Sequence, residues 1–205
     1  MDSRKVELRT RFREEREFHH EAIDWDIYQW EHLISSDEFT SASVIASYIS
    51  YGTEPDTSRI NQEILAQSKV LVAPRTLPDK NLKWVQWDGS ESSLIRNGNV
   101  FEPQGEPFLG TIDLVIVPAL HVDQHGNRLG QGGGSYDRAL KNLSAYSIAL
   151  VYTGELTSEE IPSEPHDCKV NAQQRPNYLF DLQNRIKVSC HNQTLNLISA
   201  FVNLS

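Results

Sequence analysis

Between Arg128 and Arg138 the chain reads Arg-Leu-Gly-Gln-Gly-Gly-Gly-Ser-Tyr-Asp-Arg, which sets side-chain-free backbone, a carboxylate and two guanidinium groups within eleven positions. Glycine lets consecutive N–H groups turn toward one anion without Cβ obstruction, and arginine offers planar forked donors that match phosphate oxygens. The carboxylate, Asp137, is of the type that holds the Mg²⁺ accompanying a nucleotide. Phosphate chemistry is therefore the first expectation. Neither standard phosphate loop is present. No lysine follows the glycines as a Walker loop requires, and Gly130-x-Gly132-x-x ends on Ser135 rather than on the third glycine of a dinucleotide fingerprint. A surface turn can also be glycine-rich, but it has no need of the flanking Arg128 and Asp137.

The elements that must position this loop alternate between helix and strand. Residues 4–34 carry Leu8, Phe12, Ile23, Ile27 and Trp30 and predict one or two helices, with a break near Ile23-Asp24. Val44–Ser50, Lys69–Ala73, Lys83–Trp87, Ile112–Val117 and Ser147–Tyr152 are rich in β-branched and aromatic residues and predict strands. Asp56–Gln67, capped by Asp56-Thr57-Ser58, and Tyr136–Leu143 predict helices, the second opening directly after the glycines with its positive dipole end toward any anion held there. The section from Lys83 to Glu102, with Asp88-Gly89 and Asn97-Gly98 turns, predicts a small β-hairpin. The class expected is α/β, a single-domain layered sheet with helices on both faces and sites at the carboxyl ends of its strands. Gln193–Val202 predicts a short docking helix.

Composition narrows the partners. At 205 residues there is room for one core, and 39% hydrophobic with 23% charged residues is ordinary globular material. No apolar run approaches a membrane span, and the charged start MDSRKVELRTRFREER is unlike a signal peptide, so no membrane partner and a cytoplasmic location are expected. A net charge of −9 argues against nucleic acid as a partner and makes any anion site local. The one basic cluster is Arg4, Lys5, Arg9, Arg11, Arg13 and Arg16, several at helical spacing, which by itself reads as a solvated helix face. Cys168 and Cys190 have neither zinc-ribbon nor C-x-x-C spacing and are expected to be free thiols. His121-x-Asp123-x-His125 would share one face as a strand, but between Pro118 and Gly126-Asn127 the segment is expected to turn, which disfavours a metal site. The sequons at Asn142 and Asn192 carry no meaning without secretion.

Six segments together carry a family resemblance. Asp113-Leu-Val-Ile-Val-Pro-Ala-Leu120, Asp123, and the run from Gly126 to Arg138 form one compound motif, preceded by Lys5-Val-Glu-Leu8-Arg9, Ser47-Tyr48-Ile49 with Glu54-Pro-Asp56-Thr57, Val72-Ala-Pro74-Arg75 and Phe101-Glu102-Pro103, and followed by Glu164-Pro-His166-Asp167. In this order they resemble the 5-formyltetrahydrofolate cyclo-ligase (5,10-methenyltetrahydrofolate synthetase) family over residues 4 to 172. The resemblance implies a fold similar to the NagB/RpiA/CoA-transferase-like fold, and one domain over 1–205 with residues from about 185 outside the match. It implies ATP-dependent closure of 5-formyltetrahydrofolate to 5,10-methenyltetrahydrofolate, with ADP and phosphate released through a phosphorylated formyl (iminophosphate) intermediate.

By the same resemblance ATP and Mg²⁺ are the cofactors, and the partner is a reduced folate with or without a polyglutamate tail, acted on by a monomer. Lys5, Arg9 and Arg128 would hold ATP oxygens, with Gly130, Gly132, Gly133, Gly134, Ser135 and Tyr136 around them. Asp137 and Asp167 would fix Mg²⁺. Ile49, Glu54 and Tyr136 would contact the folate, Glu54 at the polar edge of the pteridine, and Arg128, Tyr136 and Asp137 would stand at the reacting groups. Two positions depart from the family pattern: Ser135 stands where an aromatic is usual, and Asn171 replaces a common second carboxylate, keeping a metal-accepting oxygen without its charge. Two alternatives stay open: a non-catalytic nucleotide-binding relative with a drifted folate pocket, and a sugar-phosphate isomerase or CoA-transferase-like enzyme that consumes no ATP.

Overall fold

The computed structural model describes residues 3–22, 30–175 and 178–181. In chain order the elements are helices α1 (Ser3–Ala22), α2 (Glu31–Ile34) and α3 (Asp37–Ser41), strand β1 (Val44–Ala46), helix α4 (Ser58–Ala66), and strands β2 (Val70–Thr76), β3 (Leu82–Gln86), β4 (Leu94–Asn97), β5 (Val100–Pro103), β6 (Leu114–Pro118), β7 (His121–Asp123) and β8 (Arg128–Leu129). Helix α5 (Ser135–Lys141) and strands β9 (Tyr146–Leu150), β10 (Leu156–Thr157), β11 (Ala172–Arg175) and β12 (Tyr178–Asp181) follow.

Seven strands form the central sheet in the order β12-β11-β9-β6-β1-β2-β3. The inner pairs β11/β9, β9/β6, β6/β1 and β1/β2 are parallel, and β12 and β3 close the two edges antiparallel. Parallel strands are covered on both faces, so their residues are apolar in both phases of the two-residue period. Ile45, Leu71, Leu114, Ile116, Ile148 and Leu150 point to one face, where they meet Ile60 and Ile64 of α4 and Leu33 and Phe39 of α2 and α3. Ala46, Val72, Val115, Val117 and Ala149 point to the other, where Tyr136 and Leu140 of α5 pack. The expected layered α/β arrangement with helices on both faces is present.

Strand β2 runs on through Pro74, past the expected end at Ala73. Its last residue paired with β1 is Val72, opposite Ala46, so beyond that point a missing proline N–H removes no bond on the β1 side, while β3 pairs with it as far as Thr76. Conversely β1 ends at Ala46 instead of continuing to Ser50, and the residues after it leave the sheet toward the cavity described below. The hairpin expected between Lys83 and Glu102 is β4/β5, turning through Gly98 and Asn99, the glycine at φ 62. The turn expected at His121 is corrected: His121–Asp123 is a strand, paired with β8 and β10, and only the residues after it turn. Asp123 there accepts the N–H groups of His125, Asn127 and Ile161, and His121 is stacked on Phe12 with centroids 3.4 Å apart, so neither is arranged as a metal ligand. Cys168 is a free thiol; Cys190 and the helix expected over Gln193–Val202 lie outside the described residues. Among the described residues no helix is long and apolar enough to cross a membrane.

Helix α1 corrects an expectation in part: Arg4, Arg11 and Arg13 are exposed, as a solvated face would have them, but Lys5 and Arg16 are buried with Leu8 and Phe12 on one stripe at three- and four-residue spacing. Leu8 and Phe12 pack with Leu120, Leu129 and Ile161. Arg16 forks onto both oxygens of Glu155 at 2.6 Å and also donates to the carbonyl oxygens of Ala119 and Leu120. Breaking such a buried pair by removing one partner strands the other charge, whereas an exposed pair such as Arg11–Glu159 contributes little. In urea unfolding, Arg16→Ala is expected to lower stability by about 3–5 kcal/mol and Arg11→Ala by less than about 1 kcal/mol.

Candidate active site

The chain passes from β1 to β2 on one side of the sheet, then returns to β6 on the other side of β1 and continues to β9. The strand order therefore reverses between β1 and β6, and a crevice outside their carboxyl ends is where an open α/β sheet binds ligands. A cavity of about 460 Å³ lies there, and every site residue expected from the sequence lines it: Lys5, Arg9, Ile49, Glu54, Arg128, Gly130, Gly132, Gly133, Gly134, Ser135, Tyr136, Asp137 and Asp167.

The glycine loop is held from two directions. Arg9 Nε–H donates to the Gly130 carbonyl at 3.0 Å, and Arg13 donates to the Gln131 carbonyl and side chain at 3.0 and 2.8 Å. From the other side Arg138 donates to the Gly133 carbonyl and to Asn81 and Lys80 of the β2–β3 turn. Gly134, at φ 66, turns the loop into α5, and a Cβ there would stand 2.9 Å from Arg138 Nη1. Only glycine meets both demands.

Charges come in pairs. Arg128 donates to Asp137 Oδ1 at 2.7 Å, and the Cys168 N–H donates to the same oxygen at 3.2 Å. Lys5 Nζ lies against Asp167 and 3.2 Å from Glu164. Burial by itself would raise the Asp167 pKa, but hydrogen bonds from Lys5 and the Glu164 N–H outweigh it and hold the carboxyl below its ordinary value. Burial, with the charge of Arg13, lowers Arg9 instead. Glu164, His166 and Asp167 bring one ligand atom each within 4.8 Å of one another.

At the other end of the cavity the segment after β1 is tied down. Thr57 Oγ1 and Asn61 Nδ2 both donate to the Tyr48 carbonyl, at 2.6 and 3.1 Å, and the Tyr48 hydroxyl donates to Pro55 O at 3.2 Å. Ile49 and Glu54 are held between these bonds. The Glu54 carboxylate accepts only a long bond from the Tyr51 N–H, 3.3 Å. Burial pushes its pKa up to about 7, against the pull of that N–H and of Arg16. Tyr136 sets its ring edge-on to Trp84, centroids 6.3 Å apart, with the Arg128 guanidinium 5.7 Å over its face. Its buried hydroxyl and the buried Nε of Arg128 have no hydrogen-bond partner among the described residues. Unpaired donors at such depth are costly unless a further group meets them.

Asn171 is a correction. Its Oδ1 accepts from the N–H and the hydroxyl of Ser147 at 2.8 Å, fastening the start of β11 to β9, and it does not line the cavity. A carboxylate would accept the same two bonds, so the amide changes nothing at the site. Residues to which the sequence reading gave no role also line the cavity, notably Arg16, Tyr48, Leu82, Val100 and Glu164. Tyr48 and Glu164 stand inside the quoted motifs and Arg16 in the basic cluster, while no local pattern marks Leu82 and Val100.

The residues present fit a nucleotide and its metal. Glycines form the loop, buried Arg128 has a donor to spare, and the carboxylates of Asp137 and Asp167 share the cavity with the cations of Lys5 and Arg128.

The sequence profile of the 5-formyltetrahydrofolate cyclo-ligase family matches residues 2–173. The chain is 32% identical over 139 residues to the 5-formyltetrahydrofolate cyclo-ligase of Mycolicibacterium smegmatis, covering 62% of this chain and 70% of that one. It is 28% identical over 156 residues to that of Mus musculus, covering 68% and 76%. Among solved structures, the 5,10-methenyltetrahydrofolate synthetase of Aquifex aeolicus superposes with a TM-score of 0.71 at 22% identity, covering 90% of this chain and 97% of the other. The corresponding protein of Mycoplasma pneumoniae superposes at 0.62 with 18% identity, covering 84% and 98%. With the profile spanning every segment that lines the cavity, the chain belongs to the 5-formyltetrahydrofolate cyclo-ligase family.

Proposed function

We propose that the chain closes 5-formyltetrahydrofolate to 5,10-methenyltetrahydrofolate at the expense of ATP. The observation that carries this reading is one cavity joining a glycine loop, two cation–carboxylate pairs and a half-buried, weakly partnered Glu54. A formyl oxygen is a poor leaving group. Phosphorylation gives an iminophosphate, N10 attacks its carbon and gives up its proton, and the oxygen departs as phosphate. The protein's share is positioning and charge stabilisation. Lys5, Arg9 and Arg128 hold phosphate oxygens, and the backbone from Gly130 to Gly134 with Ser135 surrounds them. Asp137 and Asp167 would hold Mg²⁺, which would supply neutralisation of phosphate charge. Ile49 and the ring of Tyr136 pack on the folate, Glu54 accepts hydrogen bonds from the pteridine edge, and the unpartnered Tyr136 hydroxyl points to a substrate contact. Arg128, Tyr136 and Asp137 form the catalytic group.

The same reading takes the protein as one cytoplasmic, monomeric domain of the NagB/RpiA/CoA-transferase-like fold, with the residues from about 185 an addition to it and a folate, polyglutamylated or not, as its small-molecule partner.

Purified protein mixed with 5-formyltetrahydrofolate and MgATP is expected to develop the near-ultraviolet absorbance of the methenyl product, and Asp137→Ala to abolish it. ATP binding by calorimetry without that absorbance would favour the non-catalytic alternative.

Glu54 gives a second expectation. Its pKa in the fold, about 7, lies above the ordinary 4.5, so the fold disfavours its charged form. Below the ordinary value both states are protonated and nothing is lost; as pH rises through 7 the fold bears the full cost, at most about 3 kcal/mol. Glu54→Gln is therefore expected to stabilise the ligand-free protein in urea unfolding at about pH 8 and to leave it unchanged at about pH 4, while weakening folate binding.

A further inference from the structure

The two cations at the phosphate end of the cavity are nearly sealed from water: the Lys5 side chain is 5% exposed and that of Arg128 3%. Each is neutralised by a carboxylate, Asp167 together with Glu164 for Lys5, and Asp137 for Arg128. On the reading given above, the cations await phosphate oxygens and Asp137 and Asp167 await a divalent ion. Each partner of one ligand is thus occupied by a partner of the other.

We propose that Asp137 and Asp167 are selectivity residues that make the cavity reject metal-free nucleotide, because each neutralises a phosphate-binding cation until a divalent ion replaces that cation. This inference rests on the cavity being a MgATP site. A metal-free triphosphate brings its charge to Lys5 and Arg128 while three carboxylates already stand on them, and like charges crowded around two buried cations repel. A divalent ion alone meets carboxylates that already hold an ammonium and a guanidinium. When both arrive, the ion takes the carboxylates, the phosphates take the cations, and every charge ends with a partner. The unpartnered Nε of Arg128 supplies a donor to the incoming phosphate that no internal carboxylate claims.

The test is a comparison of binding, not of turnover. Calorimetry with ATP in excess chelator and in excess Mg²⁺ is expected to show the intact protein binding the chelated nucleotide at least about 30-fold more weakly. In Asp167→Asn the order of effects inverts: metal-free ATP tightens by about tenfold because Lys5 keeps only its longer pair with Glu164, while MgATP weakens. Electron paramagnetic resonance with Mn²⁺ as probe and no nucleotide approaches from the other side, and Lys5→Met is expected to tighten Mn²⁺ by about tenfold. If the intact protein binds MgATP but Asp167→Asn takes metal-free ATP no more tightly, or Lys5→Met leaves Mn²⁺ binding unchanged, the selectivity role is wrong and the nucleotide reading stands. If the intact protein binds no MgATP, the nucleotide reading falls and the inference with it.

Discussion

A guanidinium that is 2% exposed keeps its charge in a fold only if acceptors surround it, and the fork of Arg16 onto Glu155 is the contact on which the rest of this site depends. Two carboxylate oxygens and two main-chain carbonyls receive it. The carbonyls belong to Ala119 and Leu120, directly after β6, and Glu155 lies directly before β10. One side chain therefore fastens the N-terminal helix across the carboxyl ends of the sheet. From that anchor the buried stripe runs through Phe12 and Leu8 to Lys5, about three helical turns away, and delivers an ammonium to Asp167. Arg9 and Arg13, on the adjacent side of the same helix, reach the glycine loop. The helix acts as a rigid strut that sets where the loop and its cations stand.

The sheet does the same for the opposite wall. Because the strand order reverses between β1 and β6, the chain diverges there, and the segments after the two strands splay apart to leave a cavity. An irregular segment so close to the core must place its backbone polar groups somewhere. After β1 the Tyr48 carbonyl is taken up by Thr57 and Asn61 at the start of α4, which ties down the root of the loop bearing Ile49 and Glu54.

How much of this was legible in the sequence follows from where each signal is local. The parallel strands β1, β2, β6 and β9 are apolar runs between polar turns, and all were readable, with ends displaced by a few residues. Strand β11 was not. It reads Ala-Gln-Gln-Arg, and Gln173 and Gln174 are fully buried, so a central strand carries the composition of a surface loop. The site residues were legible because one family's order of short motifs points to them, and the cavity gathers them all. The role of α1 was hidden for a physical reason: the buried stripe Lys5-Leu8-Phe12-Arg16 is half cationic, and hydrophobic periodicity cannot distinguish a cation paired inside the fold from one in water. The partners that bury Arg16 and Lys5 are Glu155, Glu164 and Asp167, more than a hundred residues away.

The two departures from the family pattern separate on the same grounds. Asn171 accepts two hydrogen bonds from Ser147, a task that needs an oxygen and not a charge, and it stands outside the cavity lining. Ser135 does line the cavity, and there a side chain with one hydroxyl stands in place of an aromatic face. The remaining ring, Tyr136, is buttressed by Trp84 on its edge and Arg128 over its face. The cation that sits on this ring also holds Asp137, so the group that packs against a ligand and the group that would hold its metal share one guanidinium. Exchange of that guanidinium from carboxylate to phosphate would move charge beside Tyr136 at the moment a substrate comes to rest against it. Such coupling requires no moving domain, only a buried guanidinium that lies at once on the Tyr136 ring and on the Asp137 carboxylate.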